Sequence, residues 1–291
     1  MSHIEACPIC GNNTIGIFRE CTDFLVSRET FTLIHCNRCD FLITSPTPKD
    51  LTGYYKSEDY VSHTSSGTNL INRLYLTARV FTLRQKLSLV QKHAIKGKIL
   101  DVGCGTGDFL EVCQKNGWST DGVEPSDEAR AIAAKKNLRV NSSLEENQST
   151  ALDAITLWHV LEHMPDLDVA LKSLYSKLAT NGTVFIAVPN FKSYDGTYYG
   201  SHWAGYDVPR HIWHFSKKAM ENLLTKHSFK LTNVLPMKLD SYYVSLLSER
   251  YLKNGALSIP AMIRAFYRGF RSNLAARKEN NYSSLIYIAK K

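Results

Sequence analysis

Four cysteines near the start of the chain are spaced to hold a metal ion. Cys7-Pro-Ile-Cys10 and Cys36-Asn-Arg-Cys39 form two C-x-x-C pairs separated by a strand-like interval, and Gly11 follows the first pair. Each pair can place two thiolates on one tetrahedral ion, and the interval allows a small hairpin to close the site. Four sulfur ligands leave no open position, so the expected ion is a structural Zn2+. Such an ion would supply roughly 10–16 kcal/mol of apparent folding free energy. A redox dithiol is the competing reading. Cys21, Cys104 and Cys113 fall outside the pattern and read as core or turn residues.

A second stretch, Ile99-Leu-Asp-Val-Gly-Cys-Gly-Thr-Gly107, has the chemistry of a ligand-binding turn. The apolar run Lys98–Val102 predicts a buried parallel strand. Gly103, Gly105 and Gly107 follow, and Asp108–Lys115 then predicts a helix with Phe109, Leu110, Val112 and Cys113 on its apolar face. Glycines allow a tight turn and close approach of backbone to ligand. The helix start offers free N–H groups to an anionic group. Trp118–Val123 predicts the next strand, ending in Glu124, which stands about twenty residues past the first glycine, where a ribose-binding acid belongs. Elements of this order belong to a doubly wound α/β sheet.

Asp101 at the strand end, the glycine turn and Glu124 together resemble motifs I and II of the class I S-adenosyl-L-methionine (SAM)-dependent methyltransferases. Trp158-His-Val-Leu-Glu-His163 resembles a later motif of the same family. The resemblance covers roughly Lys96 to Lys238. It implies a Rossmann-like seven-stranded, mostly parallel sheet and SAM as cofactor. It further implies that Asp101 and the turn hold the methionine end of SAM, that Glu124 takes the ribose hydroxyls, and that Leu144 and Trp158 lie at the cofactor. His159-x-x-Glu162-His163 with a later histidine also resembles the metal site of small-RNA 2′-O-methyltransferases, but that pattern has a glutamate where this chain has His159.

The remaining elements must position these residues. Asn69–His93 predicts one long helix or two. Ser126 caps a helix over Asp127–Lys136, and a short strand is expected near Leu138–Val140. Asp153–Trp158 predicts the strand beside Lys98–Val102. A helix follows over Val169–Leu178, then a turn at Asn181-Gly182 and a strand over Thr183–Val188. Ser216–His227 predicts a helix and Lys230–Leu235 a strand, and Ser283–Ala289 fits the antiparallel seventh strand that the resemblance implies. Residues 1–45 therefore read as a zinc-binding module, 46–95 as a lid and helical region, and 96–291 as the cofactor-binding core. Within that core, 241–279 is a helical insertion.

Between the strand over Thr183–Val188 and the helix over Ser216–His227 lies a long loop rich in Tyr, His and Trp, and long structured loops are usually functional. Arg210 could clamp a carboxylate or phosphate, and His211 or His214 could take a proton. Trp213 and Phe215 read as core, and His214 as a helix cap in the alternative. His159, His163 and His211 are the candidate bases. Tyr54 and Tyr55 read equally as lid or packing residues, Tyr60 as packing, and His63 stands in the same segment. The insertion carries apolar faces at Tyr243, Leu246 and Leu247 and at Ile263, Phe266, Tyr267, Phe270 and Leu274, flanked by Arg264, Arg268, Arg271, Arg277 and Lys278. Three readings stand for it: a surface for a membrane or lipid-linked substrate, a dimer helix, or a cap with an ordinary basic face.

The 291 residues carry a formal charge of +8, seven cysteines and no apolar run long enough to span a bilayer. Nothing in Met1–Cys10 reads as an export signal, so a cytoplasmic protein is expected. The charge suits an anionic partner without choosing one. Pro189-Asn190-Phe191 stands where amino methyltransferases carry an N-P-P-Y-type motif, and no Pro-Cys nucleophile is present, which disfavours nucleic acid. The expectation is a methyltransferase acting on oxygen or carbon of a small molecule such as a sugar nucleotide, a quinone-like ring or a cell-envelope precursor. An RNA methyltransferase and a non-catalytic SAM-binding scaffold are the alternatives.

Overall fold

The computed structural model describes residues 6–55, 70–253 and 258–291; Tyr60 and His63 lie outside them. Its centre is the apolar segment β4 (Lys98–Val102), four of whose five side chains are buried. It pairs in parallel with β5 (Ser119–Val123) on one side and β7 (Leu152–Trp158) on the other. β6 (Val140–Asn141) closes that edge. Beyond β7 lie β8 (Leu178–Pro189), then β11 (Ser284–Lys290) and β10 (Lys230–Pro236), giving the seven-stranded order β10-β11-β8-β7-β4-β5-β6. β11 runs antiparallel to both of its neighbours. The α/β class and the mixed, mostly parallel sheet expected from the sequence are therefore present.

The helices take the layers this alternation requires. α1 (Leu70–His93) packs Leu87 and Val90 with Phe109 of α2 (Asp108–Lys115) on one face of the sheet. α3 (Asp127–Ala134) is capped by Ser126, whose hydroxyl accepts from Ala129 N, and α4 (Leu167–Lys177) by Asp166, which accepts from Val169 N. β6 is shorter and later than the predicted Leu138–Val140, because Leu138 turns inward against Ala133 and Leu110. β8 begins at Leu178, before the Asn181-Gly182 turn, with a register shift there. α6 (Lys217–Lys226) is capped by Ser216, not by His214.

The N-terminal segment forms a second sheet from β1 (Ile15–Thr22), β2 (Thr30–Cys36) and β3 (Phe41–Ser45). Its fourth strand comes from far along the chain: β9 (Trp213–His214) pairs with Leu42 and Ile43. The predicted loop is thus ordered, through a short helix α5 (Tyr194–Tyr199), two single turns and β9. Trp213 stacks on Phe41 with centroids 5.7 Å apart, and its indole N–H donates to Met164 O. Asp195, fully buried, accepts from Trp203 Nε1, Ser272 Oγ and Ser283 Oγ at 2.6–2.8 Å, tying this loop to the last helix and strand. The insertion forms α7 (Asp240–Leu252) and α8 (Ile259–Ala275), packed on each other.

Candidate active site

The glycine turn stands at the carboxyl end of β4. Gly103, Gly105 and Gly107 all have positive φ, at 69°, 54° and 76°. A Cβ at Gly103 would lie 2.4 Å from Val160, and one at Gly107 2.5 Å from Leu138. Those two glycines serve packing. A Cβ at Gly105 would meet nothing within 4 Å, so this position keeps open the backbone wall that a ligand needs. Gly105 N donates to Glu124 Oε2 at 2.9 Å, and Ser126 N donates to Oε1 at the same distance. The acid predicted to take ribose hydroxyls is therefore preset against the turn.

Asp101 lies beneath the turn, only 3% exposed, and accepts from Thr156 Oγ1 at 2.6 Å. Burial pushes its carboxyl up to about 7, against the pull of the Thr156 hydrogen bond and of Lys86. Lys86, from α1, was not singled out in the sequence. Its ammonium sits 4.6 Å from the Trp158 ring centroid, and burial lowers its pKa. Trp158 is edge-on to Phe109 at 5.8 Å, and its buried indole N–H has no hydrogen-bond partner among the described residues. An orphan donor beside a buried carboxylate and an open glycine wall suits a zwitterionic ligand such as the methionine end of SAM. Leu144 is buried among Val102, Val123 and Leu157.

The three candidate histidines part company. His159 has φ 59°. Its Nδ1 lies 3.3 Å from Glu162 and its Nε2 2.9 Å from Asp240 at the start of α7. Burial disfavours the charged ring, but the two carboxylates prevail and hold its pKa up to about 10. Both ring nitrogens face carboxylates, an arrangement that favours the charged ring and leaves neither nitrogen well placed to act as a base. His163 sits in the single turn Leu161–His163, with Nδ1 3.0 Å from Arg210 O and 3.2 Å from the Tyr55 hydroxyl. Burial and the neighbouring His211 push it down to about 4. The His163 and His211 rings meet edge to face at 4.6 Å. His211 Nδ1 is 3.0 Å from Gly205 O, an acceptor, so Nδ1 carries a proton, and in the neutral ring Nε2 would hold the lone pair. Asp207 lies 4.0 Å from that Nε2. Glu162 is fully buried, and its Oε2 has no hydrogen-bond partner among the described residues. One ligand atom each from Glu162, His163 and His211 lies within 4.8 Å of the others, close enough to share a cation.

Arg210 requires a correction. Its side chain is 1% exposed. The guanidinium donates to Asp207 through Nε (3.0 Å) and Nη2 (2.6 Å), to Asp23 through Nη2 (2.9 Å) and to Tyr54 O through Nη1 (2.9 Å). It is a buried tie between the N-terminal sheet and the loop, not a clamp offered to substrate. Removing one partner of such a pair leaves uncompensated buried charge. Arg210→Met is therefore expected to cost about 3–5 kcal/mol in denaturant unfolding, with SAM affinity unchanged; a substrate clamp would instead raise KM at constant stability. His214 is also structural, with Nε2 2.9 Å from Thr44 Oγ1 and its pKa driven far down by burial. Tyr54 packs against Phe31 and bonds Glu29, whereas Tyr55 reaches the site.

The four cysteines of the N-terminal module do converge. Cys7 Sγ lies 3.4 Å from Cys39 Sγ and Cys10 Sγ 3.5 Å from Cys36 Sγ, with all four within 4.8 Å. The spacing is too long for disulfides and near the roughly 3.8 Å expected between sulfurs of a tetrahedral zinc site. Gly11 and Asp40, each following a pair, both take positive φ, at 66° and 60°. The two knuckles are thus alike in backbone, and the cluster is consistent with a zinc site.

The fold and this site define a class I SAM-dependent methyltransferase. The chain belongs to the family of the "Methyltransferase domain" whose model matches residues 73–234. It is 29% identical over 122 residues to a ubiquinone biosynthesis O-methyltransferase of Pseudomonas entomophila (38% of this chain, 50% of the relative). It is likewise 29% identical over 143 residues to that of Coxiella burnetii (45% and 59%). The chain spans about half the length of the curated relatives it matches. Among solved structures, a mycolic acid cyclopropane synthase complexed with SAH and CTAB aligns with TM-score 0.50 at 14% identity, covering 71% of this chain and 83% of that one. A SAM-dependent methyltransferase from Archaeoglobus fulgidus gives TM-score 0.49 at 20% identity, covering 73% and 94%.

Proposed function

We propose that the protein methylates an oxygen of a small-molecule acceptor, with His211 as the base. The observation that carries this reading is the His211 imidazole, held as the Nδ1–H form by Gly205 O, with its Nε2 free to accept a proton. Asp207, 4.0 Å away, would steady the imidazolium that forms. Bound SAM supplies a methyl on a sulfonium, already a good electrophile. The chain's task is then chiefly alignment, with proton removal where the acceptor is a hydroxyl or carbon acid. Asp101, the glycine turn and Glu124 hold the donor in this reading, Leu144 and Trp158 flank it, and Tyr55 and His163 border the acceptor. The ubiquinone O-methyltransferase relatives support a small, quinone-like acceptor. The four-cysteine cluster binds a structural Zn2+, and residues 1–45, 46–95 and 96–291 act as metal module, lid region and core.

The test is methyl transfer from labelled SAM to panels of catechols, hydroxylated quinones, sugar nucleotides and RNA, with wild type and His211→Ala. Transfer to a small hydroxyl acceptor, reduced about 10²–10⁴-fold in kcat by the variant with SAM affinity retained, is expected. Transfer to RNA alone, or a variant as fast as wild type, would sink the reading.

A further inference from the structure

Helix α8 is built inside out. Its small residues Ala261, Ala265, Gly269 and Ser272 are buried, and a Cβ on Gly269 would strike Tyr242 of α7 at 2.8 Å. Small residues there let the two helices approach closely, and Ser241 Oγ donates to Gly269 O at 3.1 Å. The large apolar residues lie mainly on the exposed side, with Phe266 also meeting Tyr242 at 5.9 Å between ring centroids. Ile259 is 75% exposed, Ile263 65%, Phe266 57%, Tyr267 52% and Phe270 51%. At ~100° per residue these positions fall on one continuous stripe, about 17 Å long along the helix. An exposed stripe of this kind signals a binding surface.

Charge chooses the partner. From Ser258 to Lys278 the chain has five cationic residues and no Asp or Glu. Arg264 is spent on buried Glu249, and Arg268 lies over Tyr198. Arg271, Arg277 and Lys278 remain exposed, with Arg271 at the border of the stripe. A second copy of the chain on this face would set two basic fringes together with no acid on either helix to answer them. An apolar stripe with aromatic residues and a cationic fringe instead fits an interface of acyl chains and anionic headgroups. We propose that α8 lies on an anionic lipid bilayer, its apolar stripe sunk among the headgroups and its basic fringe on their charges. The insertion is fastened to the site's rim, because Asp240, the first residue of α7, holds His159 at the end of β7. This inference stands whatever the acceptor is.

The experiment is flotation of the whole protein with phosphatidylglycerol–phosphatidylcholine vesicles and with phosphatidylcholine alone. The variants are Phe266→Ser/Phe270→Ser and Arg271→Glu/Lys278→Glu, each checked for an unchanged circular dichroism melt. Expected is binding to the anionic vesicles that added salt weakens. The apolar pair should lower it by more than about tenfold, and the charge pair should remove the preference for phosphatidylglycerol. No flotation of the wild type would overturn the proposal, as would equal binding to both vesicles. So would a wild-type dimer that the Phe variant splits without any vesicle binding, because the face would then be a subunit interface.

Discussion

Cys36→Ser is expected to unfold the N-terminal sheet and to abolish methyl transfer while leaving SAM binding largely in place. Cys36 ends β2 and is fully buried. β2 is the strand on which both β1 and β3 pair. A four-thiolate zinc site contributes roughly 10–16 kcal/mol, against a typical total stability of about 5–15 kcal/mol, so a module folded around such an ion would have little left without it. The damage should travel along one path. β3 pairs with β9, β9 begins two residues after His211, and Thr44 Oγ1 donates to His211 O at 2.7 Å. Chelation of the wild type by a strong zinc ligand should do the same. Circular dichroism melts, zinc content and turnover, read beside calorimetric SAM binding, provide the check. A chelated protein that keeps its melt and its activity would show the cysteines to be free thiols.

Glu124→Ala is expected to weaken SAM binding by about 1–3 kcal/mol, the usual value of a lost charge-assisted hydrogen bond, or about tenfold to a hundredfold. The carboxylate also anchors the turn through Gly105 N and Ser126 N, so the larger end of the range is expected. Asp101 adds a pH dependence. Its folded pKa, about 7, lies above the usual carboxylate range because burial disfavours the charge. The folded protein therefore holds this proton more tightly than the unfolded chain. The stability it confers is present below about 4 and lost as pH rises through about 7. A cationic amino group on the ligand reverses the preference. SAM affinity should accordingly rise as pH passes through about 7 and level off above it, and Asp101→Asn should flatten the curve. Calorimetry from pH 6 to 8.5 on both proteins decides this, and identical slopes would refute the role of Asp101.

The glycine turn, Glu124 and the C-x-x-C pairs were legible in the sequence because their chemistry is local. Positive φ at 103, 105 and 107 demands glycine, and two thiolates can meet one ion only when few residues separate them. The strands themselves were legible as apolar runs, whereas their order and the antiparallel last strand were implications of the family resemblance. The periodicities also showed two helical stretches in the insertion, without bounds for each. They left its second helix open among three readings, because a stripe of Ile, Phe and Tyr shows that a helix has an apolar face but not which way it turns. Small residues packing on Tyr242 settled that direction.

The histidines were less legible still. His159, His163, His211 and His214 share a residue type, yet one is held between Glu162 and Asp240, one is pushed toward its neutral form by burial, one bonds Gly205 O through Nδ1, and one bonds Thr44. Arg210 changed from substrate clamp to buried tie because Asp23 lies 187 positions earlier in the chain. A residue's type and its near neighbours determined where a ligand or ion could bind in this protein. Protonation, burial and partners depended on groups brought from distant segments, and only the folded chain supplies those.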